Sequence, residues 1–236
     1  MTEQAATPAT EEYLAVIYRL SRQEEPVPLA LLAEQLGISP ISANEMVRKM
    51  ARSALVTYKP YEGVSLTPEG CQHAEVMVRR HRLWERLLTD VLGLPWDVVH
   101  DEAGRLEHAT SDLLERHLAQ FLAQPSTCPH GHPIPGQQQL PEGSTELSAM
   151  SAGERGQVLA IANEDAALLR ALGRAGLVPG SEIEVVVMEP ALRSLTVRVG
   201  GKNVSLALDA AQQILVNASR PQCPDMSGQS LLSEAM

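Results

Sequence analysis

A chain of 236 residues is longer than one ordinary domain and points to two compact units. Its 44 % hydrophobic and 20 % charged residues exclude global disorder, and the absence of a membrane-span pattern or secretory signal leads us to expect a cytoplasmic protein without a membrane partner. The net charge of −10 argues against a nucleic-acid partner for the chain as a whole, but between Ser39 and Lys59 the balance reverses, with Arg48, Lys49, Arg52 and Lys59 against one acid, Glu45.

Thr10 is expected to cap a first helix from Glu11 to about Ser21, with Leu14, Ile17 and Tyr18 on one face. A second helix begins at Pro28 and carries Leu29, Leu32, Ala33 and Leu36 at helical spacing until Gly37 stops it. Ser39-Pro40 starts a third, whose buried stripe is Ala43, Met46, Val47 and Met50. Leu55 to Lys59 and Val64 to Leu66 then read as two strands around the Pro60-Tyr61-Glu62-Gly63 turn, which completes the order of a winged helix-turn-helix.

Thr67-Pro68-Glu69 opens a long helix reaching about Leu92, and further helices are expected from Trp96 to His108 and from Ser111 to Leu122. Leu114, His117, Leu118 and Phe121 give the last of these an apolar face suited to a two-fold dimer. Residues 124–148, with five prolines, read as a linker. Beyond it a strand at Gln157 to Ala162, a helix from Asp165 to Arg174, and strands at Glu182 to Met188, Leu195 to Val199 and Asn203 to Leu208 suggest a small β-barrel. The expected domains are therefore 1–66, a winged-helix DNA-binding domain; 67–123, a helical domain; 124–148, the linker; and 149–217, the barrel. Residues 218–236 are expected to be a disordered tail.

The chemistry concentrates in the middle. His81 and Glu85 fall inside the apolar stripe of the long helix, four residues apart, so both heads can address one point. A single histidine there is more often a satisfied core residue, but the next helix adds His100, Asp101, Glu102, Glu107 and His108. Two histidine-carboxylate sets on consecutive helices favour a metal. Cys71, Cys128 and Cys223 are too few and too scattered for a disulfide framework. Cys128, His130 and His132 invite a zinc reading, yet the interleaved Pro129, Gly131 and Pro133 favour a shaped connector.

His81-Arg82-Leu83-Trp84-Glu85-Arg86-Leu87-Leu88, Val99-His100-Asp101-Glu102-Ala103 and Glu107-His108 resemble the metal-binding helices of the diphtheria toxin repressor family. Glu11-Glu12-Tyr13-Leu14 resembles its first helix, Cys128 to Gly136 its linker, and Leu177 to Val186 its FeoA-like barrel, so the similarity runs over residues 8–217. It implies a mainly α protein with small β parts: an N-terminal winged helix-turn-helix, a helical metal-binding and dimerisation domain, and a C-terminal FeoA-like β-barrel. Carried over by position, one metal group would be His81, Glu85, His100 and Glu164, and the other Glu12, Glu107 and His108. Gly104 stands where the family has a ligand, and water, Glu102 or a displaced His81 could fill that place; Asp165 is a further candidate beside Glu164.

Glu12 stands where iron-type members carry Met and manganese-type members an acid, so the resemblance favours the manganese branch, with Mn(II) or Fe(II) as cofactor and other divalent metals binding in vitro. The implied partners are a palindromic operator in double-stranded DNA and a second copy of the chain. Ser39, Pro40, Ser42 and Asn44 are expected at base edges, and Arg48, Lys49, Arg52 and Lys59 at phosphates, with Tyr61 on the backbone. A metallohydrolase and a metal-independent winged-helix protein are the alternatives, and the sequence carries no HExxH motif, nucleophile elbow or phosphate loop for the first.

Overall fold

Three helices of the N-terminal half start the same way, with a hydroxyl residue at the cap and proline behind it, where no backbone N–H is needed. In the computed structural model, which describes residues 7–22, 24–137 and 139–219, these are α1 (Pro8–Leu20), α3 (Pro40–Arg52) and α4 (Pro68–Arg86). Thr7, Ser39 and Thr67 cap them through their side-chain oxygens. The cap expected at Thr10 lies at Thr7 instead, because Pro8 suits the first helical position and Thr10 is buried inside α1.

Between these helices lie α2 (Leu29–Gln35) and a hairpin of β1 (Val56–Lys59) and β2 (Gly63–Leu66), paired from Val56↔Leu66 to Lys59↔Gly63. Val27 and Val64 exchange two 2.9 Å backbone hydrogen bonds, and this approach requires glycine at 63, where a Cβ would come within 2.6 Å of the Val27 carbonyl. Leu14, Ile17, Leu32, Val47, Met50, Val56, Val64, Ala74 and Met77 form the core of this part. The winged helix-turn-helix expected from the sequence is thus present, with Ala43, Val47 and Met50 buried as the stripe predicts.

Helix α4 is the spine. Its first half packs Ala74, Met77 and Val78 onto α1, and Leu83 further on packs against Leu118, Ala119 and Ile134. It continues through a π-helical turn, Leu87–Val91, to α5 (Val99–Glu107), where Leu88 meets Val99 and Ala103. Helix α6 (Asp112–Phe121), capped by Ser111, follows. Leu118 is buried in the chain's own core, so the outward apolar surface of α6 is Leu113, Leu114 and Phe121 rather than the set that included Leu118.

The chain divides into two compact units between Gln139 and Leu140. The proline-rich stretch expected as a linker therefore belongs through residue 139 to the first unit. The second unit contains β3 (Thr145–Glu146), β4 (Arg155–Ile161), α7 (Ala166–Ala175), β5 (Glu182–Glu189), β6 (Ser194–Val199), β7 (Lys202–Ala207), α8 (Leu208–Ala211) and β8 (Ile214–Ser219). Its strands pair antiparallel in the order β3-β8-β4-β5-β6-β7. No β3–β7 pairing closes them into the expected barrel among the described residues. The tail expected after Asn217, with Cys223, lies outside the described residues from position 220 onward. No helix among the described residues is long and apolar enough to cross a membrane.

Gly70 provides a test of the joint between wing and spine, because a Cβ there would sit 1.9 Å from the Leu55 carbonyl oxygen. Gly70→Ala is expected to lower metal-free stability by about 1–3 kcal/mol or more in urea unfolding. Gly104→Ala, in the interior of α5 with nothing within 4 Å, should instead raise it by about 0.5–1 kcal/mol.

Candidate metal centre and DNA interface

Helix α4 aims His81 and Glu85 inward from adjacent turns, and α5 brings His100 and Glu107 to meet them. His81 Nε2 lies 3.2 Å from Glu85 Oε1 and 3.0 Å from His100 Nδ1. Its other nitrogen, Nδ1, lies 2.6 Å from Glu107 Oε2. His81, Glu85 and Glu107 are all buried. One imidazole thus touches both carboxylates and joins the two groups expected from the sequence.

A second approach to Glu85 comes from the proline-rich stretch. Arg79, Arg82 and Arg86 lie along one face of α4 and hold its backbone carbonyls: Arg86 Nε on Thr127 at 2.6 Å, Arg86 Nη2 on Cys128 at 3.2 Å, Arg79 Nη1 on Pro135 at 2.9 Å, and Arg82 on Pro133. Ile134 is buried against Leu83 and Leu118. This strap places His130 Nδ1 3.3 Å from Glu85 Oε1, with Cys128 Sγ 3.9 Å from the same nitrogen. His130 Nε2 lies 2.7 Å from the Trp96 carbonyl, which can only accept, so Nε2 carries a proton.

Charge follows this geometry. Burial opposes a charge on His81, but Glu85 and Glu107 outweigh it and hold the imidazole pKa above its ordinary value. Burial likewise opposes ionisation of Glu85, yet His81, His100 and His130 keep its pKa well below the ordinary carboxylate value. Glu85 Oε2 remains buried with no hydrogen-bond partner, a condition that costs about 1–3 kcal/mol or more for a polar group. That orphaned oxygen, with imidazole nitrogens gathered around its partner atom, fits a divalent cation.

The remaining expected ligands are distributed as follows. Glu12, Glu107 and His108 offer donor atoms within 4.8 Å of one another, although Glu12 also lies 3.8 Å from Arg19. Glu102 stands apart, 2.5 Å from Arg105. Gly104 leaves open space. Glu164 belongs to the second unit, on the turn between β4 and α7; Asp165 beside it accepts from the backbone N–H groups of Ala167 and Leu168 as the cap of α7. Sequence reasoning missed the grouping of Glu85 with Cys128 and His130.

In the winged-helix part, Ser39, Pro40, Ser42, Arg48, Lys49, Arg52, Lys59 and Tyr61 are exposed and Asn44 is partly so. Arg48 Nε donates to Asn44 Oδ1 at 3.2 Å, and Tyr61 stands fully exposed at the hairpin tip with φ +69°.

Family models match along the described chain: "Iron dependent repressor, N-terminal DNA binding domain" at residues 6–64, "Iron dependent repressor, metal binding and dimerisation domain" at 67–136 and "FeoA domain" at 145–218. The diphtheria toxin repressor of Corynebacterium glutamicum is 36 % identical over 220 residues, which cover 88 % of this chain and 95 % of that protein. The chain belongs to the diphtheria toxin repressor family. The family member from Corynebacterium jeikeium is 43 % identical over 134 residues, 57 % of this chain and 56 % of that protein. A solved manganese-dependent transcriptional repressor in complex with manganese superposes with a TM-score of 0.81 at 36 % identity, covering 88 % of this chain and 98 % of that one.

The shifted pKa values set a pH dependence for the metal-free repressor. The raised His81 pKa contributes stability that is complete below the ordinary imidazole value and lost as pH rises through the folded value. The depressed Glu85 pKa contributes stability that is complete above the ordinary carboxylate value and lost as pH falls through the folded one. Metal-free urea midpoints should therefore be highest between roughly pH 4.3 and pH 6.5 and decline on either side. Metal affinity measured by calorimetry should rise above that window, as His81 gives up its proton.

Proposed function

We propose that this chain is a metal-activated transcriptional repressor that binds a palindromic operator as a homodimer, with Mn(II) or Fe(II) as its activating ion. Its relatives are repressors and not enzymes, so the hydrolase alternative falls away. The observation that carries the reading is the grouping of Glu12, on a helix of the DNA-binding part, with Glu107 and His108 at the end of α5. A divalent cation bound there would supply the positive charge that lets two carboxylates sit side by side. Glu12 would then fix α1, and with it the shared core on which α3 rests, relative to the helices that carry the dimer surface.

Exposed Leu113, Leu114 and Phe121 on α6 support that dimer. In it, the separation of the two α3 helices must match successive major grooves roughly 34 Å apart. Ser39, Pro40, Ser42 and Asn44 lie at the N-terminal end of α3, where base edges are read, and Arg48, Lys49, Arg52, Lys59 and Tyr61 lie where they can follow the backbone. Carboxylate and imidazole donors in the Glu12 group favour Mn(II) or Fe(II), and other divalent transition metals should bind in vitro. The group around Glu85, with His81 and His100 on α4 and α5 and Cys128 and His130 on the strap, is a second candidate centre. A DNA-bound repressor of this kind would act in the cytoplasm.

Mobility shift on a palindromic promoter fragment, with and without Mn(II), tests the reading. Glu12→Gln keeps the size of the side chain but removes its charge. It should lose roughly 5- to 150-fold of metal-stimulated DNA affinity and leave metal-free affinity unchanged; wild-type stimulation in this variant would refute the Glu12 bridge. Arg48→Ala and Lys49→Ala should weaken binding to every sequence and reduce the slope of log affinity against log salt by about one. An unchanged slope would remove them from the interface.

A further inference from the structure

Glu11, adjacent to Glu12, is absent from every ligand set described above. Its carboxylate Oε2 nevertheless lies 2.7 Å from Nδ1 of His108, 97 positions further along the chain. The other nitrogen of that ring, Nε2, lies 3.5 Å from Glu107 Oε1. Consecutive residues on α1 point about 100° apart, so Glu11 and Glu12 approach the end of α5 from different directions. Glu11 takes the outer nitrogen of the imidazole, while Glu12 groups with His108 and Glu107. Both partners are sheltered, with side chains 22 % and 23 % exposed.

We propose that Glu11 is a positioning residue for His108: its carboxylate accepts the Nδ1–H, which fixes the ring's tautomer and orientation and leaves the Nε2 lone pair facing Glu107 and Glu12. An ionised carboxylate can only accept, and a neutral imidazole carries one N–H, so a proton held at Nδ1 leaves Nε2 unprotonated. A carboxylate behind a ligating histidine also raises the basicity of the ring and holds its plane. The demand for such orientation is high here, because Gly104 contributes no side-chain donor and three side chains must carry the group. The contact also joins α1 to the end of α5, so part of the bridge between the DNA-binding and helical parts exists in the metal-free chain.

This inference rests on reading Glu12, Glu107 and His108 as a metal group, and its test therefore begins without metal. In histidine-¹⁵N-labelled metal-free protein at about pH 8, where an ordinary imidazole is neutral, His108 should show the Nδ1–H tautomer. Glu11→Ala should shift that signal toward the Nε2–H form, and Glu11→Gln, whose amide oxygen still accepts, should restore it. In Mn(II) calorimetry Glu11→Ala should lose about 10- to 100-fold in affinity, with Glu11→Gln recovering most of it and metal-free melting close to wild type in both. An unmoved tautomer in Glu11→Ala, or a Glu11→Gln as weak as Glu11→Ala, would overturn the proposal. A tautomer that responds as expected in a wild-type protein with no Mn(II) site at this group would overturn the metal reading and leave the hold of Glu11 on His108 standing.

Discussion

Glu85 is a carboxylate taken out of water on the buried face of α4, and three segments of the first unit are arranged around that cost. His81 one turn before it, His100 on α5 and His130 on the strap all bring a ring nitrogen to the same oxygen, Oε1, within 3.4 Å. A buried charge is tolerated only with such compensation. The compensation draws three separate chain segments to one point, and those segments could not be repacked independently without stranding the charge. The second oxygen, Oε2, has no hydrogen-bond partner, so the arrangement is complete in charge but not in coordination.

The same economy explains why α4 is so long. Its N-terminal half supplies Ala74 and Met77 to the winged-helix core, and its C-terminal half carries both Glu85 and the arginines that hold the strap. A rigid rod through both parts lets a change at the end of α5 be felt at α1, since both pack on it. Glu11 and Glu12, on α1, meet His108 and Glu107 across that rod.

Local physics was legible in the sequence wherever spacing decided the outcome. The buried stripe of α3, the hairpin after it, the inward pair His81 and Glu85, and the strands from Glu182 to Leu208 follow from period and turn chemistry alone. What stayed hidden depended on partners distant in the chain. Nothing in Cys128-Pro129-His130 tells that three arginines, more than forty positions upstream of it at Arg79, Arg82 and Arg86, grip the neighbouring carbonyls and swing His130 onto Glu85. Leu118 looked like dimer surface because its helix was considered without Ile134 covering it. The strand Ile214–Ser219 went unread because its place between β3 and β4 is set by neighbours, not by alternation. Glu11 and Glu12 are indistinguishable by residue type, and only the direction each takes around α1 separates their roles.

The strap is gripped by its main chain, through the carbonyls of Thr127, Cys128, Pro133 and Pro135. Its path is therefore set by α4, while the side chains it displays toward Glu85 are set by its own sequence. Donor chemistry and backbone path become separable, within the limit that the side chain at position 130 must still compensate the buried Glu85 charge. A sensor built this way could change its preference among metals by exchanging one or two side chains, with the frame that transmits the response left intact.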